Sequence, residues 1–592
     1  MIAYDFEVFK HDWLVVFTDV KSGTPFLIVN DVEKLQKFYD ENKKDIFIGF
    51  NNKNYDDKIF SVILQGGNPY HASQLIIEHE DSSLLYDTYD MFKYPLCSID
   101  LSQYVGFMSL KEIEGYLGMN IEETSVDFNI ERPLTKKEIE LTAKYCTHDV
   151  ESTIELLKNK FQDVMQKIIL IKEFNLRQQD VGLFNGGLTA KILGATGSKR
   201  FNDEFLPYEP IKELDINKYK NILSFYTDSP IDYERKLNID VEGVPHVFAW
   251  GGIHGAIPNF EYRGRMMLLD VTSYYPSMMI EYDFMSRQIP SKLKNRFKEI
   301  YDTRVKHKAA GNKKLANVLK LVLNTKYGVL KMEFNKLYDP RMSNNVCITG
   351  QLLLLDLIEK VSPYCKLVQS NTDGILVIPH SMEDEKKVIA EKEKWEKRTR
   401  MGMDIEYATY IMQKDVNNYI LEHDDGSIKC KGGEVSQYKG NNEPVDLKKN
   451  LAIIDKALVE YFVHGVPVAE TIHNEKDIHM FQIIKKTGRM YFDRTWVYEG
   501  KEIPLNMCNR WYASTDANCG EPFQWKYREI KKTGELVKQR TKIVPNCPAY
   551  PMLDNEGVMT FDELDYQYYI DLANEKVQQF RYGKKTKRAS VE

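Results

Sequence analysis

Three separated segments in the central third of the chain carry residues suited to phosphoryl chemistry. They are Asp270-Val-Thr-Ser-Tyr-Tyr275-Pro-Ser277, Lys320-Leu-Val-Leu-Asn324-Thr-Lys-Tyr327-Gly328 and Ser370-Asn-Thr-Asp373-Gly374. The first and third each place a carboxylate after an apolar run, where a strand gives way to a turn. Two carboxylates brought together by such turns offer the hard oxygen ligands that divalent cations prefer. Two such ions about 3.5–4 Å apart can activate an attacking hydroxyl and stabilise a leaving oxygen in an in-line displacement at phosphorus.

The middle segment supplies complementary groups. Apolar positions at Leu315, Leu319, Val322, Leu323 and Leu330 predict a helix over 315–330. Lys320, Asn324 and Tyr327 then fall at i, i+4 and i+7 on one face. A lysine is a point charge matched to a polyphosphate, and a ring beside it can cover a base or sugar.

Together the three segments resemble motifs A, B and C of family B DNA polymerases, with the compact phage members the best match. The family patterns are approximately Asp-x-x-Ser-Leu-Tyr-Pro-Ser, Lys-x-x-x-Asn-Ser-x-Tyr-Gly and Asp-Thr-Asp-Ser. The resemblance implies that Asp270 and Asp373 bind metal and that Tyr275 lies under the incoming sugar and excludes a 2′-hydroxyl. It further implies that Lys320 contacts the triphosphate while Asn324 and Tyr327 line the nascent pair. This sequence departs from the pattern at Thr325, which keeps the hydroxyl, at Asn371, which removes a negative charge but keeps a carbonyl oxygen, and at Gly374.

The N-terminal part adds a second series. Asp5 and Glu7 lie at i and i+2 at the end of an apolar strand and so share one face. The run Ile46 to Asp56 is another strand entering an acidic turn, and Thr135-Lys-Lys-Glu138 is a capping-box signature for a helix carrying Tyr145 and Asp149 one turn apart. The order resembles the proofreading 3′→5′ exonuclease of the same family, with its Asp-x-Glu, Asn-x-x-(Phe/Tyr)-Asp and Tyr-x-x-x-Asp motifs. By that resemblance Asp5, Glu7, Asp56 and Asp149 bind two metals and Tyr145 orients the attacking water; Asp57 stands as the alternative to Asp56. Ser109-Leu-Lys-Glu112 predicts a further capped helix supporting this domain.

The elements between these motifs are short. Lys292 to Lys331 contains 12 Lys or Arg against 2 Asp or Glu, a local balance of +10, so the rest of a chain of net charge −7 carries −17. The basic stretch predicts two antiparallel helices, 292–308 and 315–330, joined near Ala310-Gly311-Asn312, with Arg304 and Lys314 as further phosphate contacts. Intervals of this length leave no room for the insertions of protein-primed members, which argues against protein priming and built-in strand displacement. The resemblance starts at the first residue, so the extra N-terminal domain of larger members is not expected.

Phe248 to Gly255, with Gly251 and Gly252, resembles the family segment whose backbone amides approach template phosphate; a plain glycine turn entering the palm is the alternative. Lys414, Tyr419 and Lys431 resemble the residues that hold the primer terminus and duplex. Residues 480–551 alternate in the manner of strands without a family signal, an insertion with room to contact duplex or a partner. Lys584 to Arg588 forms a basic tail.

The expected architecture is therefore an α+β multidomain protein, a ribonuclease H-like (DnaQ-like) exonuclease domain (1–175) followed by a right-hand polymerase. The latter comprises a connecting region and first part of the palm (176–290), short basic fingers (291–331), the rest of the palm (332–441) and a thumb with C-terminal extension (442–592). The expected function is primer-dependent, template-directed DNA synthesis from dNTPs with proofreading, using two Mg²⁺ or Mn²⁺ ions in each active site. The alternatives are a protein that is mainly an exonuclease, or a non-catalytic primer-template binder. A monomer working with primer-template DNA, dNTPs and replication accessory proteins is expected. Eight cysteines without a Cys-x-x-Cys pair, no signal segment and no long apolar run point to free thiols in a reducing cytoplasm, that of a host cell for a phage protein, and away from a membrane.

Overall fold

The computed structural model describes all residues except 78–82, 434, 436–446, 448–449, 531–533, 545–549 and 584–592; the basic tail lies outside the described residues. The chain is a mixed α+β protein of two compact units. The first contains Met1–Gly182, Glu443–Ile453 and Ile472–Ile570, and the second Leu183–Asn442, Ile454–Thr471 and Asp571–Glu592. The stretch 442–592, expected as one C-terminal domain, is thus divided between the units.

The first unit begins with a five-stranded sheet, β1 (Ile2–Val8), β2 (Trp13–Asp19), β3 (Pro25–Val29), β4 (Ile46–Gly49) and β5 (Cys97–Asp100), in the order β3-β2-β1-β4-β5. β1 to β3 are antiparallel, while β4 runs parallel to β1 and β5. Even residues of β1 (Ile2, Tyr4, Phe6, Val8) enter a large core with Ile59, Phe60 and Ile63 of helix α1 (Asp56–Leu64). On the opposite face Ala3 packs with Cys146 and Val150 of helix α3 (Lys136–Asn159). Capping boxes open α3 and the preceding α2 (Leu110–Tyr116), as their sequences predict. Each such cap contributes about 1 kcal/mol.

The second unit is built on a nine-stranded sheet, β6 (Leu237–Val241), β7 (Val244–Phe248), β8 (His254–Ala256), β9 (Phe260–Val271), β10 (Cys365–Asn371), β11 (Gly374–Pro379), β12 (Met403–Asp415), β13 (Asn418–His423) and β14 (Ile428–Lys431). Its order is β14-β13-β12-β9-β11-β10-β8-β7-β6. The central β9 is flanked by β11 and β12, both antiparallel to it, and its last half is apolar because it is buried on both faces. Helix α4 (Tyr274–Glu281) follows β9 directly. The antiparallel pair α5 (Asn295–Ala309) and α6 (Lys313–Val329) comes next, turned at Gly311, whose φ of +75° suits glycine, and the buried α7 (Pro340–Val361) completes the set.

The C-terminal part of the first unit is β-rich, as the alternation in 480–551 predicts. β15 (Ile483–Lys486), β18 (Cys508–Ser514) and β21 (Tyr550–Leu553) form one sheet in the order β15-β18-β21. β16 (Asp493–Tyr498), β17 (Lys501–Pro504), β19 (Glu521–Glu529) and β20 (Leu536–Lys542) form another in the order β17-β16-β19-β20. Arg510 on β18 is fully buried and ties this region to the N-terminal segment. Its guanidinium donates to the carbonyls of Gly115 and Met119 and, at 3.0 Å, to Gln482 Oε1. The seven described cysteines form no disulfide with one another, and among the described residues no helix is long and apolar enough to cross a membrane.

Arg510→Met keeps the volume of the side chain but strands these carbonyls. A loss of about 3 kcal/mol is expected from the first unit. Limited proteolysis followed by mass spectrometry should show early cleavage within 1–182 or 472–570; an unchanged cleavage pattern would contradict the anchoring role.

Candidate active sites

In the first unit the strand period sets the geometry. Asp5 and Glu7 lie on the face of β1 that carries Ala3, so they point toward α3, where Tyr145 and Asp149 stand one turn apart. Asp5 and Glu7 offer ligand oxygens within 4.8 Å of one another and of Cys146 Sγ. Asp56, the first residue of α1, reaches back to accept from the Phe6 amide at 2.9 Å. All three carboxylates line one cleft with Asn51, Tyr55, Phe128 and Arg489.

Asp56 and Asp57 differ in their partners. Asp57 accepts from Tyr4, from Asn52 Nδ2 at 3.0 Å and from Ser98 Oγ at 2.5 Å, and it pairs with Lys53 at 2.9 Å. Those groups saturate its oxygens, whereas Asp56 is buried and turned to the cleft.

Burial, reinforced by the neighbouring charges of Asp56, Glu7 and Asp149, pushes the Asp5 carboxyl well above its ordinary range. Glu7 is raised in the same way, and burial pushes Asp56 up to about 8. Burial also raises Asp149, against the opposing charge of Lys111. Lys111 pairs with Asp149 and with Glu114, the latter at 2.9 Å, and sits 4.6 Å from the Tyr145 ring centroid. Nothing in the sequence patterns marked Lys111 or Glu114 beyond their place in the capped helix α2. The donor set is hard oxygen: burial holds the Cys146 thiol protonated, and its Sγ donates to the Asp5 main-chain oxygen at 3.3 Å. Crowded carboxylates that resist ionisation fit a divalent cation.

In the second unit Asp270 continues the β9 row of Met266 and Leu268. The β10–β11 hairpin brings Asp373 beside it: Gly374 is the register partner of Asp270, and the Val271 amide donates to the Asp373 carbonyl at 2.8 Å. A Cβ at position 374 would lie 2.0 Å from Asp270 Oδ1, so glycine here leaves the carboxylate its place. Asp404, the partner of Asp270 on β12, and Glu406 join the same cavity. The sequence signal for them was a second Asp-x-Glu on a strand, the spacing of Asp5 and Glu7. Burial raises the Asp270 carboxyl, with Asp373, Glu406 and Asp404 adding to it and Lys429 opposing.

The same cavity is also lined by Tyr275, Arg304, Lys308, Lys320 and Asn324. The Tyr275 ring packs against Tyr327 with centroids 4.3 Å apart. Arg304 donates to Ser273 Oγ at 2.9 Å, and its Nε is buried without a partner among the described residues, an orphan donor suited to an anion. Lys314, at the start of α6, is not among the lining residues; Lys308, one turn beyond Arg304 on α5, is. A smaller pocket is lined by Asp270 and Asp373 together with Asn371, Tyr419, Lys429 and Lys431. Lys431 donates to Asn371 Oδ1 at 3.3 Å. Gly252 abuts Thr372, the neighbour of Asp373, and Cys347 Sγ donates to the Gly251 carbonyl at 2.6 Å. Lys414 lies at the end of β12, where its carbonyl accepts from the Asn259 amide at 3.0 Å, and it lines neither pocket.

No family model matches the chain, and no curated protein matches it in sequence. Among solved structures, the family B DNA polymerase from the hyperthermophilic archaeon Pyrobaculum calidifontis is similar over 100% of this chain and 78% of its own, with 14% identity and a TM-score of 0.41.

The Asp56 shift has a sign that can be tested. The unfolded chain releases this proton near pH 3.9, the folded chain only at about 8. Between these values the folded state binds more protons, so the contribution is complete at low pH and is lost as pH rises through 8. In chelator, Asp56→Asn should raise the melting temperature at pH 8 by about 2 °C or more, with a smaller gain at pH 5. A variant less stable than wild type at pH 8 would contradict the assignment.

Proposed function

We propose that this chain is a DNA-directed DNA polymerase with 3′→5′ exonuclease activity. The observation that carries the reading is one cavity lined by Asp270 and Asp373 together with Tyr275, Arg304, Lys320 and Asn324. Carboxylates and basic side chains in one cavity suit a nucleoside triphosphate: the carboxylates would hold cations at the reacting phosphate, and Lys320 and Arg304 would meet the remaining negative oxygens. On this reading the nine-stranded sheet is the palm, α5 and α6 are short fingers, and the thumb is formed by the part of 442–592 that groups with the second unit. Tyr275, backed by Tyr327, is the surface on which the incoming sugar rests.

The first unit would be a ribonuclease H-like exonuclease. Asp5, Glu7 and Asp56 would hold the cations, with Asp149 and Tyr145 beside them. Two Mg²⁺ or Mn²⁺ ions in each site would lower the pKa of the nucleophile and neutralise charge on the leaving oxygen. Tyr145, whose hydroxyl burial keeps protonated, would donate to the attacking water or the scissile phosphate. Lys111 would hold Asp149 in place through its ion pair. Primer-template DNA and dNTPs would be the substrates, in the cytoplasm and as a monomer. Replication accessory proteins are its proposed partners.

A second reading is favoured by Asn371. Its amide oxygen accepts from Lys431, which places a cation where the family pattern has a carboxylate and would weaken metal binding at the polymerase site. The protein would then act mainly as an exonuclease.

Extension of a labelled primer on a template with Mg²⁺ and four dNTPs separates these readings. Asp373→Ala should lower extension by about a hundredfold or more and leave primer shortening intact; Asp5→Ala/Glu7→Ala should do the reverse. Shortening without extension in the wild type would establish the second reading, and neither activity would overturn both. Gly374→Ala, which pushes a methyl group into Asp270, should lower extension about tenfold or more with shortening unchanged; wild-type extension would contradict the close approach.

A further inference from the structure

The four-stranded sheet near the C-terminal end of the first unit has a face that the two carboxylate sites do not use. Along β19 and β20 the register pairs Phe523 with Lys542, Trp525 with Arg540 and Tyr527 with Lys538. Register partners project to the same side of a sheet, so three rings stand against three cations. Lys538 lies 4.3 Å from the Trp525 ring centroid and 5.2 Å from that of Phe492; Arg540 lies 4.1 Å from Phe523 and 5.7 Å from Trp525.

Phe492, just before β16, stacks on Tyr527 with centroids 4.6 Å apart and planes within 20°. Both rings remain open to solvent, Phe492 at 45% and Tyr527 at 60%. Lys542 is tied to Glu521 at 2.7 Å, whereas the partners of Lys538 and Arg540 among the described residues are rings. Exposed π faces set among cations are the combination that binds unpaired bases by stacking and their phosphates by charge, without reading sequence. Duplex would hide its base faces from such a surface. The segment that precedes β16 also reaches the first cleft: Arg489, three residues before Phe492, lines it beside Asp5, Glu7 and Asp56.

We propose that this face is a platform for single-stranded DNA, which leads a frayed 3′ end to the Asp5/Glu7/Asp56 cleft. The second clause rests on the exonuclease reading of that cleft; the first does not. Phe492 and Tyr527 stack bases, and Lys538 and Arg540 follow the backbone.

The test is fluorescence anisotropy of labelled (dT)20 with the full chain in chelator, comparing wild type, Phe492→Ala/Tyr527→Ala and Lys538→Gln/Arg540→Gln. The ring variant should bind about tenfold more weakly. The cation variant should lose about 1.4 from the slope of log affinity against log salt. A blunt duplex should be bound within about twofold of wild type by both. Undiminished (dT)20 affinity and salt slope in the cation variant, or an equal loss on duplex, would overturn the platform even if the ring variant fails to fold. Cross-linking of a 5-iododeoxyuridine oligonucleotide should map to Phe492, Trp525 or Tyr527; cross-links confined to the second unit would overturn it. Wild type that binds (dT)20 through this face yet never shortens it would sink the exonuclease reading and leave the platform standing, whereas shortening with no role for the face would do the opposite.

Discussion

The arrangement on which both candidate sites depend is the enforced proximity of carboxylates that burial and mutual repulsion would drive apart. Asp5, Glu7, Asp56 and Asp149 in one unit, and Asp270 in the other, are all held above their ordinary pKa range chiefly by desolvation. Such positions oppose folding and persist only where the surrounding structure leaves no alternative. Here the restraint comes from strands at the centre of sheets. β1 is clamped between β2 and β4, and β9 between β11 and β12. A carboxylate at the end of a doubly paired strand cannot retreat without breaking a ladder.

The two sites solve this problem with different parts. In the first, helices supply the second wall: α3 brings Asp149 and Tyr145 to the face of β1 that Ala3 shares with Cys146, and Lys111 on α2 compensates part of the charge. In the second, a hairpin supplies it, and close approach is allowed because Gly374 has no side chain to displace Asp270, while Lys429 compensates part of the charge. Cations line both pockets that Asp270 and Asp373 share, Arg304, Lys308 and Lys320 in the larger and Lys429 with Lys431 in the smaller. Among the described residues that line the first cleft, Arg489 is the one Lys or Arg beside Asp5, Glu7 and Asp56.

Much of this was legible in the sequence because it follows from local periodicity. The i, i+2 relation of Asp5 and Glu7, the i, i+4 relation of Tyr145 and Asp149, and the helical face of Lys320 and Asn324 need only a strand or helix to form, and apolar spacing and capping boxes announce both. What was not legible depends on pairing between distant segments. Asp56 and Asp57 are equivalent as text, and only the position of Tyr4, Asn52 and Ser98 separates them. Asp404 and Glu406 reach the cavity through the register of β12 on β9. Lys308, near the end of α5, lines it, and Lys314, at the start of α6, does not. The return of 472–570 to the first unit rests on contacts such as Arg510 with Gly115 and Met119, which no local pattern encodes.

If the carboxylates are cation sites, crystals soaked in millimolar Mn²⁺ should show paired anomalous peaks about 3.5–4 Å apart among Asp5, Glu7 and Asp56, and again between Asp270 and Asp373. Anomalous maps without a peak at either cluster, with the carboxylates in the same places, would contradict the account: the groups would then be protonated elements of the fold rather than metal ligands.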